Sequence, residues 1–111
     1  IKINPIYHDL KPYTVLVMAE KEIVAEKIRA IMTRNKPRDV FDLYFLFKKG
    51  TRFHLDFVNS KLAYYQENFE MERFIQKVRE KKTLWQQELK EYCQIVPEFE
   101  IVLILIEEKI Q

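Results

Sequence analysis

Two charged residues stand among apolar neighbours, where a charge needs a physical explanation. Lys27 lies four residues before Ile31, inside the apolar stripe of a predicted helix. A lysine there must extend its ammonium to water, pair with a carboxylate or bind an anion. Asp42 lies between Phe41 and Leu43 in a second predicted helix that is apolar nearly all round. An ionised carboxylate at such a position needs a partner.

These two charges allow a structural and a functional interpretation. Structurally, Lys27 extends to water or pairs, and a Lys27–Asp42 or arginine–Asp42 pair joins two helices. Functionally, the same two residues form a polar pair that lines a cleft. Asp39 lies on the same helix face three residues before Asp42, where N-terminal charge and capping explain it better than catalysis. Of the two aspartates we therefore expect Asp42 to be the essential one.

A run of basic residues surrounds the predicted turn between these helices. It comprises Arg29, Arg34, Lys36 and Arg38, with no acidic residue among them. Cations gathered at a turn can contact phosphate groups. The alternative is a solvated turn whose cations form salt bridges with Glu22 and Glu26.

The elements that position these residues follow from hydrophobic periodicity. Residues 1–18 are predicted to form two short strands, the second over the β-branched and apolar segment 13–18. A helix is predicted from Glu20 to just before Asn35, because a residue that precedes a proline avoids the α conformation. The predicted apolar stripe of this helix, with Ile28 at its edge, comprises Ile23, Val24, Ala30 and Ile31.

The remainder of the chain is predicted to be helical. A buried central helix is expected from Pro37 to Lys49, with Gly50 as its stop. Further helices are expected near residues 54–66, 70–81, 83–94 and 97–110, although residues 99–106 also fit a buried strand. Trp85, Leu89 and Tyr92 are spaced to pair along one helix face, and the charged run 79–82 fits a solvated face.

The predicted fold class is therefore α+β and mainly α. Two short N-terminal strands are followed by a bundle of about five to six helices.

Composition excludes several classes of protein. A chain of 111 residues is one domain at most, and its net charge of 19 − 17 = +2 neither requires nor excludes a polyanionic partner. A single glycine argues against a self-sufficient P-loop or Rossmann enzyme, because phosphate-cradling loops need several. A single cysteine, Cys93, cannot form an internal disulfide, which favours a reducing, cytoplasmic compartment. The longest apolar run, residues 101–106, is too short to span a bilayer.

The residues from 19 to 43 carry a resemblance to a known family. Residues 22–30 follow the pattern E-x3-E-K-x2-A, and after a short gap residues 34–43 follow R-x3-R-D-x2-D-L. This combination resembles the C-terminal motifs of the AbiEii/AbiGii-type nucleotidyltransferase toxins of prokaryotic type IV toxin–antitoxin systems. An E-K-x2-A helix alone is common, whereas its pairing with the second motif is not.

The resemblance implies a fold, an activity and a set of site residues. Members of the family have a DNA-polymerase-β-like core that uses an NTP and Mg²⁺, with an RNA acceptor such as tRNA. On this sequence their later lysine and aspartate match Lys27 and Asp42, with Arg34, Arg38 and Asp39 around them as substrate contacts. Lys27 would neutralise the triphosphate, and Asp42 would orient that lysine or help position the acceptor hydroxyl.

The chain departs from the family pattern in one respect that bears on chemistry. It contains neither the Gly-Ser motif nor the D-x-D pair that holds Mg²⁺ in the family. Without the carboxylate pair, two-metal chemistry has nothing to hold its ions. We therefore expect the isolated chain to be inactive and to need no cofactor by itself. No metal ligand is predicted within it.

This departure suggests that the chain is the C-terminal part of such an enzyme. Residues 1–18 would be the last strands of an incomplete core and residues 19–111 a C-terminal helical domain. A cognate antitoxin and self-association of the exposed strands are expected, and no membrane partner is. The alternatives are a non-catalytic helical module that binds RNA or a protein through the basic turn 29–38, and a purely structural bundle.

Overall fold

The computed structural model describes residues 12–111, and for residues 12–18 it describes the backbone alone. The first helix, α1, spans Pro12–Thr33. The strand predicted over residues 13–18 is therefore wrong, since these residues lie in the first turns of α1. β-Branched residues favour a strand only weakly unless a neighbouring strand pairs with them, whereas each residue added to a helix adds a backbone hydrogen bond. The other predicted strand lies outside the described residues.

The turn from α1 into the second helix forms as its residue types predict. Lys36 is extended, with φ −129° and ψ 110°, as expected before a proline, and α2 spans Pro37–Lys49. Gly50 follows in the left-handed conformation with φ 109°. Its N–H donates to the Phe47 carbonyl at 3.1 Å, and the Thr51 N–H donates to the Leu46 carbonyl at 3.0 Å. These two bonds form a Schellman motif, and both predicted ends of α2 are confirmed.

Beyond α2 the described chain is helical with three longer connections. The helix α3 spans Leu55–Ala63, α4 spans Met71–Glu80, and a 3₁₀ turn at Lys82–Leu84 leads into the short helix α5, Trp85–Leu89. The last helix, α6, spans Phe99–Ile110, so the ambiguous segment is helical. No strand occurs within residues 12–111, and the observed fold class of this part is all-α.

The core forms around α1 and α2. The helix α1 packs against α2, α3 and α4, while α2 also packs against α5 and α6. The α1 face that enters the core is centred on Val24, Ile28 and Ile31, whereas Ile23 is 45% exposed. The stripe is thus rotated from the predicted one, in which Ile28 was at the edge. Spacing of i, i+4 and i+7 places these three residues on one face.

The helix α2 is buried along one side only. Val40, Leu43 and Phe47 are buried, whereas Phe45 is 58% exposed. The prediction of a helix buried all round was therefore too strong, because apolar residues on its outer side contribute to ordinary protein surface. Asp42 is partly exposed on this helix rather than enclosed by apolar residues.

Two contacts fix the C-terminal third of the chain. Trp85 is buried, and its Nε1 donates to the Pro97 carbonyl at 2.8 Å. Its ring meets Phe99 edge-on, with centroids 5.3 Å apart. Phe99, Leu103 and Ile106 face the core. No helix within residues 12–111 is long and apolar enough to cross a bilayer.

A buried lysine joins the ends of two helices. Lys81 is 1% exposed, and its Nζ donates to the carbonyls of Ile31 at 3.0 Å and Lys77 at 2.9 Å. These carbonyls lie in the last turns of α1 and α4, where backbone acceptors lack helical partners and cations are favoured. Burial lowers the pKa of Lys81. The prediction that the run 79–82 is wholly solvated is wrong at this residue.

We expect Gly50→Ala to destabilise the protein through backbone strain alone. A Cβ at Gly50 would meet no heavy atom within 4 Å, but the positive φ is unfavourable for an L-residue. The expected loss is about 1–2 kcal/mol of unfolding free energy, measured by urea denaturation. Gly50→Asn is the control and should lose less, because asparagine tolerates this conformation better. Equal losses in both variants would contradict the conformational explanation.

The buried ammonium predicts a pH dependence of stability. Because the folded-state pKa of Lys81 is lowered, the unfolded chain binds more protons between that value and the unfolded pKa of about 10.4. Stability of the wild type relative to Lys81→Met should therefore rise with pH across this window. Urea denaturation of both proteins at successive pH values measures the difference. A difference that falls with increasing pH would contradict the assignment, and exposed Lys90→Met serves as the control for losing one lysine.

Candidate functional site

A polar cleft lies where α1 ends and α2 begins. It has a volume of about 370 Å³, and one side is formed by residues from the two helices and their turn. The other side is formed by Glu88 of α5 and by Tyr92 just beyond it. All five predicted site residues lie in this cleft, together with Lys36: they are Lys27, Arg34, Arg38, Asp39 and Asp42.

Asp39 is the most buried charged group of the cleft. Its side chain is 3% exposed, and the Arg34 guanidinium donates from Nε to Oδ2 and from Nη2 to Oδ1, both at 2.8 Å. This bidentate contact raises the pKa of Arg34 and leaves three of the five guanidinium N–H groups free. Arg34 itself is 49% exposed. Asp39 therefore holds a cation at the mouth of the cleft.

Lys27 lies between the two aspartates. Its Nζ is 2.8 Å from Asp42 Oδ2 and 3.8 Å from Asp39 Oδ1. The side chains of Lys27 and Asp42 are 27% and 29% exposed, so the pair is open to the cleft rather than sealed in the core. The structural interpretation of a pair that joins α1 to α2 thus describes the contact that forms. The same ammonium also lines the cleft, so the pairing leaves it accessible to a ligand.

The relative setting of the two aspartates reverses the expectation from sequence. Asp42 was expected in the apolar environment, whereas Asp39 was expected to act as an N-terminal charge and cap. In the structure Asp39 is buried and Asp42 is partly exposed. Rotation of α2 about its axis decides which side faces α1, and Asp39 lies on the buried side with Val40 and Leu43.

Arg38 and Tyr92, which both line the cleft, contact each other. The guanidinium carbon of Arg38 lies 4.7 Å from the Tyr92 ring centroid, a cation–π contact. Tyr92 is 58% exposed. The predicted helix over residues 83–94 would have paired Tyr92 with Leu89 along one face, but regular helix ends at Leu89 before the chain reaches Tyr92. Only the packing of α5 against α2 brings this residue to the site.

One member of the basic run lies outside the cleft. Arg29 contacts Glu26, Thr33 and Tyr65, and its guanidinium lies 5.5 Å from the Tyr65 ring centroid. The predicted salt bridge to Glu26 therefore forms. The pairing with Glu26 raises the pKa of Arg29. The basic turn thus divides into one structural arginine and three exposed cations at the cleft.

The described residues do not fit a magnesium site. No group of three or more potential metal-ligating side chains occurs among them. The two cleft aspartates already face cations, Asp39 from Arg34 and Lys27 and Asp42 from Lys27. A cation site would require carboxylate oxygens that are free of such pairing.

The two aspartates should differ in what they contribute to stability. Asp39→Asn removes the charge from a buried carboxylate with two good hydrogen bonds, and we expect a loss of about 2 kcal/mol of unfolding free energy. Asp42→Asn weakens a partly exposed pair and should lose below about 1 kcal/mol. Urea denaturation of both variants tests the ranking. A larger loss for Asp42→Asn would mean that Asp39 is not the anchor of the turn.

Comparison with known proteins identifies the family. No curated protein and no solved structure matches the chain significantly. The family model described as nucleotidyl transferase AbiEii toxin, type IV toxin–antitoxin system, matches residues 1–104. The resemblance carried by residues 22–43 is thereby confirmed, and the match extends over nearly the whole sequence. The chain belongs to the AbiEii nucleotidyl transferase toxin family of type IV toxin–antitoxin systems.

Proposed function

We propose that the cleft binds the triphosphate of an NTP during nucleotidyl transfer. The observation that carries this proposal is the convergence of four cationic side chains at one cleft: one from α1, two from the turn between α1 and α2, and one from the first turn of α2. They are Lys27, Arg34, Lys36 and Arg38. Transfer of a nucleotidyl group depends mainly on positioning and on neutralising phosphate charge, which such a group of cations supplies.

Each cation keeps donors available for phosphate. The Lys27 ammonium has three N–H donors and needs one for Asp42, while Arg34 has three N–H groups that do not face Asp39. Ion pairing holds both side chains in place before a ligand arrives. Less side-chain entropy is then lost on binding than for freely moving cations.

The residues have distinct proposed roles. Lys27 contacts the triphosphate, and Asp42 orients that ammonium or helps to position the acceptor hydroxyl. Arg34 and Arg38 are further phosphate contacts. Asp39 is a positioning residue, because its carboxylate acts through Arg34 and Lys27 and is buried.

The wider setting follows from the family. We propose an RNA acceptor such as tRNA, a cognate antitoxin as protein partner, a cytoplasmic location and Mg²⁺ dependence for the complete activity. The chain lacks the Gly-Ser and D-x-D motifs, so by itself it should bind nucleotide without transferring it. The helical part would then supply substrate charge neutralisation to a core that holds the metal.

Lys27→Met should separate binding from folding. We expect the affinity of the 111-residue chain for NTPs to fall by about tenfold or more, because a charged hydrogen bond to phosphate is lost. The unfolding free energy should change by less than about 1 kcal/mol, because the Lys27–Asp42 pair is partly exposed and Arg34 still donates to both oxygens of the buried Asp39. Isothermal titration calorimetry and urea denaturation measure the two quantities.

Exposed Lys90, which lies outside the cleft, provides the matched control. Lys90→Met should leave NTP affinity unchanged. Unaltered affinity in Lys27→Met, or no NTP binding by the wild type, would refute the proposed phosphate site.

A non-catalytic module that binds RNA remains the second candidate, because Arg34, Lys36 and Arg38 are exposed at one turn. It would bind a short oligoribonucleotide with an affinity that falls steeply with salt. RNA binding of this kind without NTP binding would favour that function over nucleotide transfer.

A further inference from the structure

Tyr92 contributes an aromatic side chain to the lining of the cleft. The Arg38 guanidinium covers one side of its ring at 4.7 Å from the centroid, yet the residue is 58% exposed. An exposure this high leaves much of the residue open to solvent, and Tyr92 lines the same cleft as the four cations.

Arg38 connects this ring to the cationic wall. A guanidinium stacked over an aromatic ring keeps its N–H groups in its own plane, where they remain free to donate. One side chain can therefore support the ring and contact a phosphate together. The ring of Tyr92 and the N–H donors of Arg38 are thus adjacent. A nucleotide requires such an arrangement, because it carries a base and phosphate groups in one molecule.

Glu88 adds a hydrogen-bond acceptor on the Tyr92 side of the cleft. It is half-buried and lines the cleft one turn before Tyr92. Within the described part of the chain, no lysine or arginine forms an ion pair with it. An unpaired carboxylate beside four cations does nothing for phosphate binding. A neighbouring donor group on the ligand would explain its presence.

We propose that Tyr92 is a stacking platform for a nucleobase and that Glu88 accepts a hydrogen bond from an exocyclic amino group of that base. This inference rests on the proposed function, since it places the base of a ligand whose phosphates contact Lys27 and Arg34. The substrate class is a nucleotide with an amino-bearing base. A carboxylate repels the carbonyl that uracil carries at the position where cytosine has its amino group.

The nucleobase can come from the NTP or from the end of the RNA acceptor, and both sources offer the same ring chemistry. We would therefore titrate the 111-residue chain with CTP, with a short single-stranded oligoribonucleotide and with inorganic tripolyphosphate. The variants are Tyr92→Leu, which removes the ring, and Tyr92→Phe, which retains it. Tripolyphosphate reports on the cations alone, because it has no base.

Tyr92→Leu should lower the affinity for CTP by about tenfold and leave that for tripolyphosphate unchanged, because base–aromatic contacts contribute on this scale. Tyr92→Phe should retain most of the wild-type affinity. The same pattern with the oligoribonucleotide in place of CTP also supports the platform and assigns the base to the acceptor.

Several results would overturn the platform. Equal losses for CTP and tripolyphosphate would mean that Tyr92 acts by positioning Arg38. A loss in Tyr92→Phe as large as in Tyr92→Leu, or no loss for any base-bearing ligand, would exclude stacking. If tripolyphosphate still binds to the wild type and Lys27→Met lowers its affinity, the proposed phosphate site is supported even when the stacking platform is not. If the wild type binds none of the three ligands, both the phosphate site and the stacking platform are refuted.

The role of Glu88 is tested with a matched pair of ligands. CTP and UTP differ in the group at one ring position, and the wild type should bind CTP more tightly. Glu88→Gln should reduce this preference by several-fold, because an amide can also donate to the uracil carbonyl. Its affinity for tripolyphosphate should not fall. An unchanged ratio of CTP to UTP affinity would refute the assignment of Glu88.

Discussion

The buried carboxylate of Asp39 is the constraint on which the cleft depends. A carboxylate that is 3% exposed must be matched by donors, because an unpaired charge in the interior is strongly unfavourable. Arg34, just beyond the end of α1, supplies two hydrogen bonds, and Lys27, from two turns further back, supplies a second positive charge. These contacts to the Asp39 carboxylate hold the last turns of α1 against the first turn of α2. The extended residue before Pro37 and the proline itself make the turn short enough for these contacts.

This constraint removes the apparent choice between a structural and a functional lysine. A cation that neutralises a buried acid is held in place, and a held cation is a better phosphate ligand than a mobile one, because less rotamer freedom is lost on binding. The opposing effect is that Asp39 and Asp42 reduce the field that a triphosphate would meet. The cleft contains four cations and three carboxylates, the third being Glu88. Its attraction for phosphate must therefore come from directed N–H groups at short range more than from net charge.

Single residues such as proline and glycine predict where helices begin and end in this fold. Pro37 and Gly50 specify both ends of α2, because each restricts or frees the backbone at one position. The end of α3 carries no such signal: Gln66 adopts a positive φ of 57° without being glycine, and the helix ends earlier than its pattern suggests. The burial of Asp39 rather than Asp42, the buried Lys81 and the exposed Tyr92 depend on how whole helices rotate and pack. Residue spacing along one helix carries no such information. The sequence therefore named the α1 and α2 residues of the cleft and the Lys27–Asp42 pair, whereas it did not indicate that Glu88 and Tyr92 line the same cleft.

Pairing within the cleft also decides whether its carboxylates could bind a metal ion. Metal-dependent transfer needs carboxylate oxygens that are free to bind a cation, and it needs cations that counter the charge of the leaving phosphates. Asp39 and Asp42 pair with Arg34 and Lys27, and Glu88 is a single carboxylate, so the described residues provide the cations but no cluster of carboxylates for a metal ion. Adding a metal to these aspartates would release the two cations that give the cleft its geometry. The same contacts that hold the cations of the cleft in place therefore occupy its two aspartates, and a metal ion there would have to compete with Lys27 and Arg34.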